Sequence, residues 1–243
     1  MLKKSHRNFI TQVRKTAGRA INHYELVKAG DRVLVALSGG KDSLVLLDTI
    51  TERLRYLPIR YEVAAAHIVI ECMPRQAQET YLREFCAERG VALHTRTVRE
   101  ELDFSRGSSP CFVCSWYRRK ELFSLMKELG FTRLAFGHHQ DDIVETMIMN
   151  MAIHGKICAM PLRLSMFGGQ FDLIRPLGLL AESDTARYAR LKGFAIGSYV
   201  CPHGLSSKRA VTKKLVKEMH ELSRYARHNL FVAPSHIDPE YLP

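Results

Sequence analysis

The sequence predicts an α/β fold: a parallel five-stranded sheet with helices on both faces. Three observations predict it. Apolar, β-branched runs alternate with longer amphipathic runs along the chain. Glycines close two of the amphipathic runs, at Gly90 and Gly130. The first apolar run passes through a paired-glycine turn directly into a helical run.

The elements follow in order. Residues 9–26 read as an amphipathic helix, because Phe9, Val13, Ala17, Ile21 and Leu26 fall near helical spacing. Residues 33–37 form the first strand and 43–56 the first sheet helix. Residues 61–70 are a second strand, 76–89 a helix ending at Gly90, and 91–98 a third strand. A polar loop over 101–110 leads to a helix over 116–129, which ends at Gly130. Residues 133–136 are the fourth strand and 141–154 the next helix. The fifth strand, 172–177, is interrupted by Pro176. These elements divide the chain into an N-terminal helical segment (1–29), a sheet domain (30–180) and a basic C-terminal helical segment (181–243).

The 243 residues carry a formal charge of +11. Such an excess suits an anionic partner, nucleic acid above all, although a solvated basic surface gives the same count. Lys3, Lys4, Arg7, Arg14, Lys15 and Arg19 cluster near the start, and Lys208, Arg209, Lys213, Lys214 and Lys217 near the end. Arg209, Lys213 and Lys217 share one helical face. No stretch approaches the ~18 uncharged apolar residues of a membrane span. The basic N-terminus lacks the apolar core of a secretory signal, so the cytoplasm is the expected location. There structural disulfides are not expected among the six cysteines.

Ser38-Gly39-Gly40-Lys41-Asp42-Ser43 is the densest motif. Paired glycines let the backbone turn tightly and aim N–H groups at an anion, and the following helix adds its positive end. Lys41 adds a full charge, Ser38 and Ser43 add hydroxyls, and Asp42 can hold a metal ion. A Walker loop is excluded, because a single residue precedes the glycine pair and Asp follows the lysine. Gly137-His138-His139-Gln140-Asp141-Asp142 follows the fourth strand. If strands one and four are neighbours, this loop faces the first, and Asp141 or Asp142 can bind Mg²⁺ beside phosphates. The plainer alternative is that the two aspartates only start a helix.

Cys111-Phe112-Val113-Cys114 reads as a C-x-x-C in a loop ahead of a helix. Its two thiols suit a metal ion, a cluster or a redox disulfide. Cys201, in a turn with Pro202, His203 and Gly204, is the candidate third ligand. Three cysteines could hold an iron–sulfur cluster with one iron open, and adding His203 would close a Cys₃His zinc site. Cys72, Cys86 and Cys158 read as buried structural residues. Arg118-Arg119-Lys120 lies just beyond the cysteine pair, suited to phosphate.

The loop at 38–43 resembles the pyrophosphate-binding loop of the adenine nucleotide alpha-hydrolase-like (Rossmann-like) ATP pyrophosphatases, the PP-loop enzymes. The chain as a whole resembles the tRNA 2-thiocytidine synthetase family. The resemblance runs through Gly30-Asp31-Arg32-Val33, residues 38–43, Cys111 and Cys114 with Arg118-Arg119, and the loop at 137–142 with Glu145-Thr146. It continues through Ala159-Met160-Pro161, Ile174-Arg175-Pro176-Leu177, Cys201 and Pro234-Ser235-His236. It implies that ATP and Mg²⁺ bind at the loop and that the C2 oxygen of a tRNA anticodon-loop cytidine is adenylated. Sulfur carried on a [4Fe–4S] cluster then displaces AMP. Carried over, Cys111, Cys114 and Cys201 hold the cluster. Ala36, Leu37, residues 38–43, His67, Gly137 and His138 bind ATP. Asp42, Asp141, Asp142 and Arg118 are the catalytic residues. A sulfur donor such as a cysteine desulfurase is implied as a partner, and a homodimer is compatible with the resemblance. Two departures stand out. Ser198 occupies the first position of a second C-x-x-C, and Ile68-Val69-Ile70-Glu71 replaces the family's L-D-Q segment. The competing readings are a PP-loop enzyme with structural zinc that serves a non-sulfur nucleophile, and a non-catalytic RNA-binding adaptor.

Overall fold

The computed structural model describes residues 3–71, 79–99, 110–195 and 208–241. Helix α1 (Lys4–His23) precedes β1 (Arg32–Ala36), α2 (Lys41–Leu54) and β2 (Glu62–Ile70). Then come α3 (Glu79–Ala87), β3 (Ala92–Val98), α4 (Pro110–Leu129), β4 (Arg133–Ala135) and α5 (Gln140–His154). Strands β5 (Arg163–Met166) and β6 (Phe171–Ile174) are followed by α6 (Glu182–Lys192), α7 (Lys208–Glu218) and α8 (Ala226–Val232).

The sheet has six strands in the order β3-β2-β1-β4-β6-β5, not five. The additional strand, β5, is the edge strand and runs antiparallel to β6, pairing Arg163 with Ile174 and Met166 with Phe171. The remaining strands are parallel. Gly168 and Gly169, both at positive φ (68° and 89°), turn the chain between β5 and β6. A glycine pair between two apolar runs is a hairpin signal.

Both faces of the sheet are covered, so β1 is apolar without interruption. Val33 and Val35 point into one core, with Val13, Ala17 and Ile21 of α1, Leu44 and Leu47 of α2 and Tyr188 of α6. Leu34 points into the other, with Leu122, Leu125 and Met126 of α4. Burying these side chains is worth roughly 1.5–3 kcal/mol each, which holds the sheet between two helical layers.

Asp48 of α2 ties the first layer together. It is buried, and it takes Arg14 of α1 at 3.2 Å, Arg89 at 2.8 Å, the Tyr188 hydroxyl at 2.5 Å and Lys192 at 3.5 Å. Burial alone would raise its pKa. The Tyr188 hydrogen bond, Lys192 and Arg89 outweigh that and hold the carboxyl below its usual range.

The order of the strands places the site. Chain leaving β1 turns one way to β2 and β3, and β4 lies on the other side of β1, so the order reverses between β1 and β4. Ligands of open α/β sheets bind at the carboxyl ends of strands at such a point. Helices that follow parallel strands begin at that same edge. The first turns of α2, α4, α5 and α6 are therefore gathered there.

Candidate functional site

Strand β1 delivers the loop at 37–40, in which Gly39 adopts φ +82°. Gly40 is the N-cap of α2 and contributes no side-chain capping bond, so the helix presents its first N–H groups to whatever anion arrives. The loop is internally braced. Gly40 N–H donates to Ser38 Oγ at 3.3 Å, Ser38 Oγ donates to Ser43 Oγ at 3.2 Å, and Ser43 Oγ donates to the Gly40 carbonyl at 2.9 Å.

Strand β4 lies beside β1, with Val33 opposite Arg133 and Val35 opposite Ala135, as the two-loop reading requires. The loop after β4 therefore packs directly on the loop after β1. A Cβ at Gly137 would sit 2.8 Å from the Asp42 carbonyl carbon and 3.0 Å from the Ser43 nitrogen. Glycine at this position is thus explained by the approach of the two backbones. His139 caps α5: its N–H donates to Asp142 Oδ2 at 3.0 Å, and its Nδ1 accepts from the Asp142 N–H at 3.4 Å. The His139 Nε2 lies 3.9 Å from Asp42 Oδ2.

The carboxylates and cations form one connected network. Lys41 Nζ bridges Asp42 (2.9 Å) and Glu182 (3.2 Å). Thr185 donates to Asp42 Oδ1 at 2.6 Å, and the Glu182 N–H donates to Asp141 Oδ2 at 2.7 Å. Burial pulls Lys41 down, but Asp42 and Glu182 hold its pKa above the ordinary value. Glu182 is partly buried, which raises it, yet Lys213 and Lys41 bring it down to about 2. Glu145, one turn along α5, goes the other way: burial lifts it to about 7, with Asp142 adding and Arg209 opposing.

His67, at the far end of β2, is buried and hydrogen-bonds the Leu37 carbonyl through Nδ1 at 2.8 Å, so it braces the floor of the first loop. Burial lowers its pKa, and the nearby Arg118 adds to that. Burial also pushes His138 down, to about 4. The Arg118 Nε, His138 Nδ1 and Arg175 Nε atoms are buried with no hydrogen-bond partner among the described residues, as are Thr49 Oγ1 and the Nε atoms of Arg53 and Arg227.

Cys111 and Cys114 lie on α4 itself, the second and fifth of its described residues, not in a loop ahead of it. Pro110 is the first described residue of that helix. The two cysteines are three residues apart, hence on one helical face; Cys111 is exposed and Cys114 buried. Two sulfurs at this spacing on one face fit as two donors of a cluster. Cys201 and His203 lie outside the described residues, as does Cys72. Cys86 is buried as expected, whereas Cys158 is exposed: it follows the left-handed cap at Gly155, which carries the chain out of the core.

Arg118 and the residues of the two loops thus converge on the carboxyl edge of the sheet. Sequence reasoning missed Glu182, Thr185 and Arg227. Glu182 and Thr185 reach Asp42 and Lys41 from more than a hundred residues away. Their local signal is only an acidic first helical turn.

A PP-loop domain model matches residues 9–198. The tRNA-cytidine(32) 2-sulfurtransferase of Cellvibrio japonicus is 36% identical over 95% of this chain and 78% of its own length. That of Syntrophotalea carbinolica is 36% identical over 95% of this chain and 91% of its own. The U34-tRNA thiolase NcsA from Methanococcus maripaludis, solved with its [4Fe-4S] cluster, superposes with a TM-score of 0.80 over 98% of this chain and 82% of its own. At 21% identity that likeness speaks for the fold. With a PP-loop domain over most of its length and such relatives over nearly all of it, the chain belongs to the tRNA-cytidine 2-sulfurtransferase family of PP-loop proteins.

Proposed function

We propose that this protein is an ATP-dependent sulfurtransferase that converts a cytidine of the tRNA anticodon loop to 2-thiocytidine. The observation that carries this reading is His67, which holds the Leu37 carbonyl at the start of the phosphate loop and lies close to Arg118 of α4, the helix that carries both cysteines near its start. The open N-terminus of α2 and Lys41 would hold the phosphates of ATP. A carbonyl oxygen is a poor leaving group, and transfer of AMP onto it makes it a good one, with pyrophosphate released. Arg118, with its buried Nε still to be satisfied, would meet the activated base or its phosphate.

Magnesium fits on the same grounds. Among the described residues no group of three or more His, Cys, Asp or Glu is placed to hold a metal ion by itself. Magnesium commonly takes one or two carboxylates and completes its shell with phosphate oxygens and water, so Asp42 and Asp141 or Asp142 suffice. Cys111, Cys114 and Cys201 would hold the [4Fe–4S] cluster, which supplies the sulfur that ends on C2. A donor of the cysteine desulfurase type would replenish it. No helix among the described residues is long and apolar enough to cross a membrane. A cytoplasmic setting alongside tRNA is part of the same reading.

Anaerobic purification with iron, acid-labile sulfide and zinc quantified per chain tests the cysteine assignment. About four irons and four sulfides, lost in Cys111→Ser, Cys114→Ser or Cys201→Ser, are expected. One zinc and no sulfide after cluster reconstitution would contradict it and favour a structural metal.

A further inference from the structure

The carboxylates of the site are not left to solvent on the side away from the sheet. Two arginines of the C-terminal helices cover them. Arg227 of α8 places Nη1 3.3 Å from Asp141 Oδ1. Arg209 of α7 places Nη1 3.7 Å from Asp142 Oδ1 and Nε 3.6 Å from Glu145 Oε2, and donates to Thr146 Oγ1 at 3.3 Å. Asp141 also accepts the Glu182 N–H, and Glu182 holds Lys41 and Lys213. A chain of polar contacts therefore runs from α8 through Asp141 and the Glu182 backbone to the lysine of the phosphate loop.

Several features distinguish these arginines from a structural latch. Their contacts to carboxylate are single or long, without the paired short bonds of a bidentate bridge. Both side chains are partly exposed, 29% for Arg227 and 44% for Arg209, where ion pairs hold loosely. The Arg227 Nε is buried with no hydrogen-bond partner among the described residues, so that guanidinium retains a donor to give. The partners they now have, Asp141 and Asp142, are the carboxylates that a metal–polyphosphate would engage. Once those carboxylates are engaged elsewhere, the guanidinium groups are left beside phosphoryl oxygens, which suit their planar geometry.

We propose that Arg209 and Arg227 are phosphate-binding residues of this site, carried by the C-terminal helices and parked on Asp142, Glu145 and Asp141 until a phosphate group replaces those partners. The proposal rests on the reading of the loop at 37–43 as a nucleotide site. The phosphate belongs either to ATP or to the tRNA backbone, and the two sources can be told apart.

Equilibrium binding of Mg·ATP and, separately, of tRNA would be measured on the full chain and on Arg209→Gln and Arg227→Gln, with a thermal midpoint for each protein. Removing one charge-assisted hydrogen bond to a phosphate weakens binding about tenfold. The expected result is a loss of that size for at least one ligand, with the midpoint within a few degrees of the parent. Loss for ATP alone assigns nucleotide phosphate. Loss for tRNA, with a salt slope shallower by about one, assigns the backbone. Unchanged affinity for both ligands overturns the proposal, whatever the midpoint does, and makes the arginines a latch for α7 and α8. Should the variants fail to fold, hydrogen exchange of the parent over 208–232 decides. Altered protection on adding ATP or tRNA supports the exchange of partners, and no change with either overturns it. If the parent binds neither ligand, the underlying nucleotide reading fails as well, which separates that failure from the first.

Discussion

At the scale of single residues, Gly137 and Glu145 make the sharpest statements. Gly137 has no room for a Cβ, because the backbone of Asp42 and Ser43 fills that space. Gly137→Ala is expected to push the two loops apart, costing about 1–3 kcal/mol and weakening ATP binding. Denaturant unfolding and nucleotide titration on the one variant check both. Glu145 is raised from 4.5 to about 7 by burial. Below about pH 4.5 its carboxyl is protonated in the folded and unfolded states alike and costs nothing. As pH rises through 7 the folded state must bury a charge, so stability falls across that window, by up to roughly 3 kcal/mol. Glu145→Gln is expected to flatten that slope and to leave the protein more stable than the parent at pH 8, read from unfolding midpoints across pH. The loop residues 38–43 and the loop at 137–142 were legible in the sequence because their chemistry is local: glycines, a lysine and acids beside a strand end. Glu182, Thr185 and Arg227 were not, because what matters about them is which distant helix they sit on.

At the scale of elements, most strands and helices follow from periodicity. The exceptions have identifiable causes. Strand β5 is short, exposed and only half apolar, so it carries little signal apart from its hairpin partner. Helix α4 already includes Pro110, ahead of the residue 116 that periodicity suggests, since proline and the cysteine pair look like loop residues. The joints between elements are polar as well as apolar. Asp48 links α2 to α1, to Arg89 and to α6. Removing its charge leaves buried or half-buried cations without their partner, so Asp48→Asn is expected to cost about 3–5 kcal/mol at pH 7. The folded carboxyl sits below its unfolded pKa, so its contribution is present above about pH 4 and disappears as pH falls through the folded value. Parent and variant should therefore draw together in stability as pH is taken down from 7 into the acid range, which chemical denaturation across that series would show.

At the scale of the whole molecule, the charge of +11 and the concentration of functional groups at one sheet edge belong together. The fold needs only alternating apolar segments. The site needs the reversal of strand order, which brings the turns after β1 and β4 side by side, together with C-terminal helices that return to cover it. The central claim is that this arrangement puts sulfur on a tRNA cytidine. Its most direct test is nucleoside mass spectrometry of tRNA incubated with the anaerobically reconstituted protein, ATP, Mg²⁺ and sulfide. The parent protein is expected to yield 2-thiocytidine, and Lys41→Ala to do so at a rate lower by about a hundredfold or more. Consumption of ATP with no 2-thiocytidine in any tRNA would contradict it.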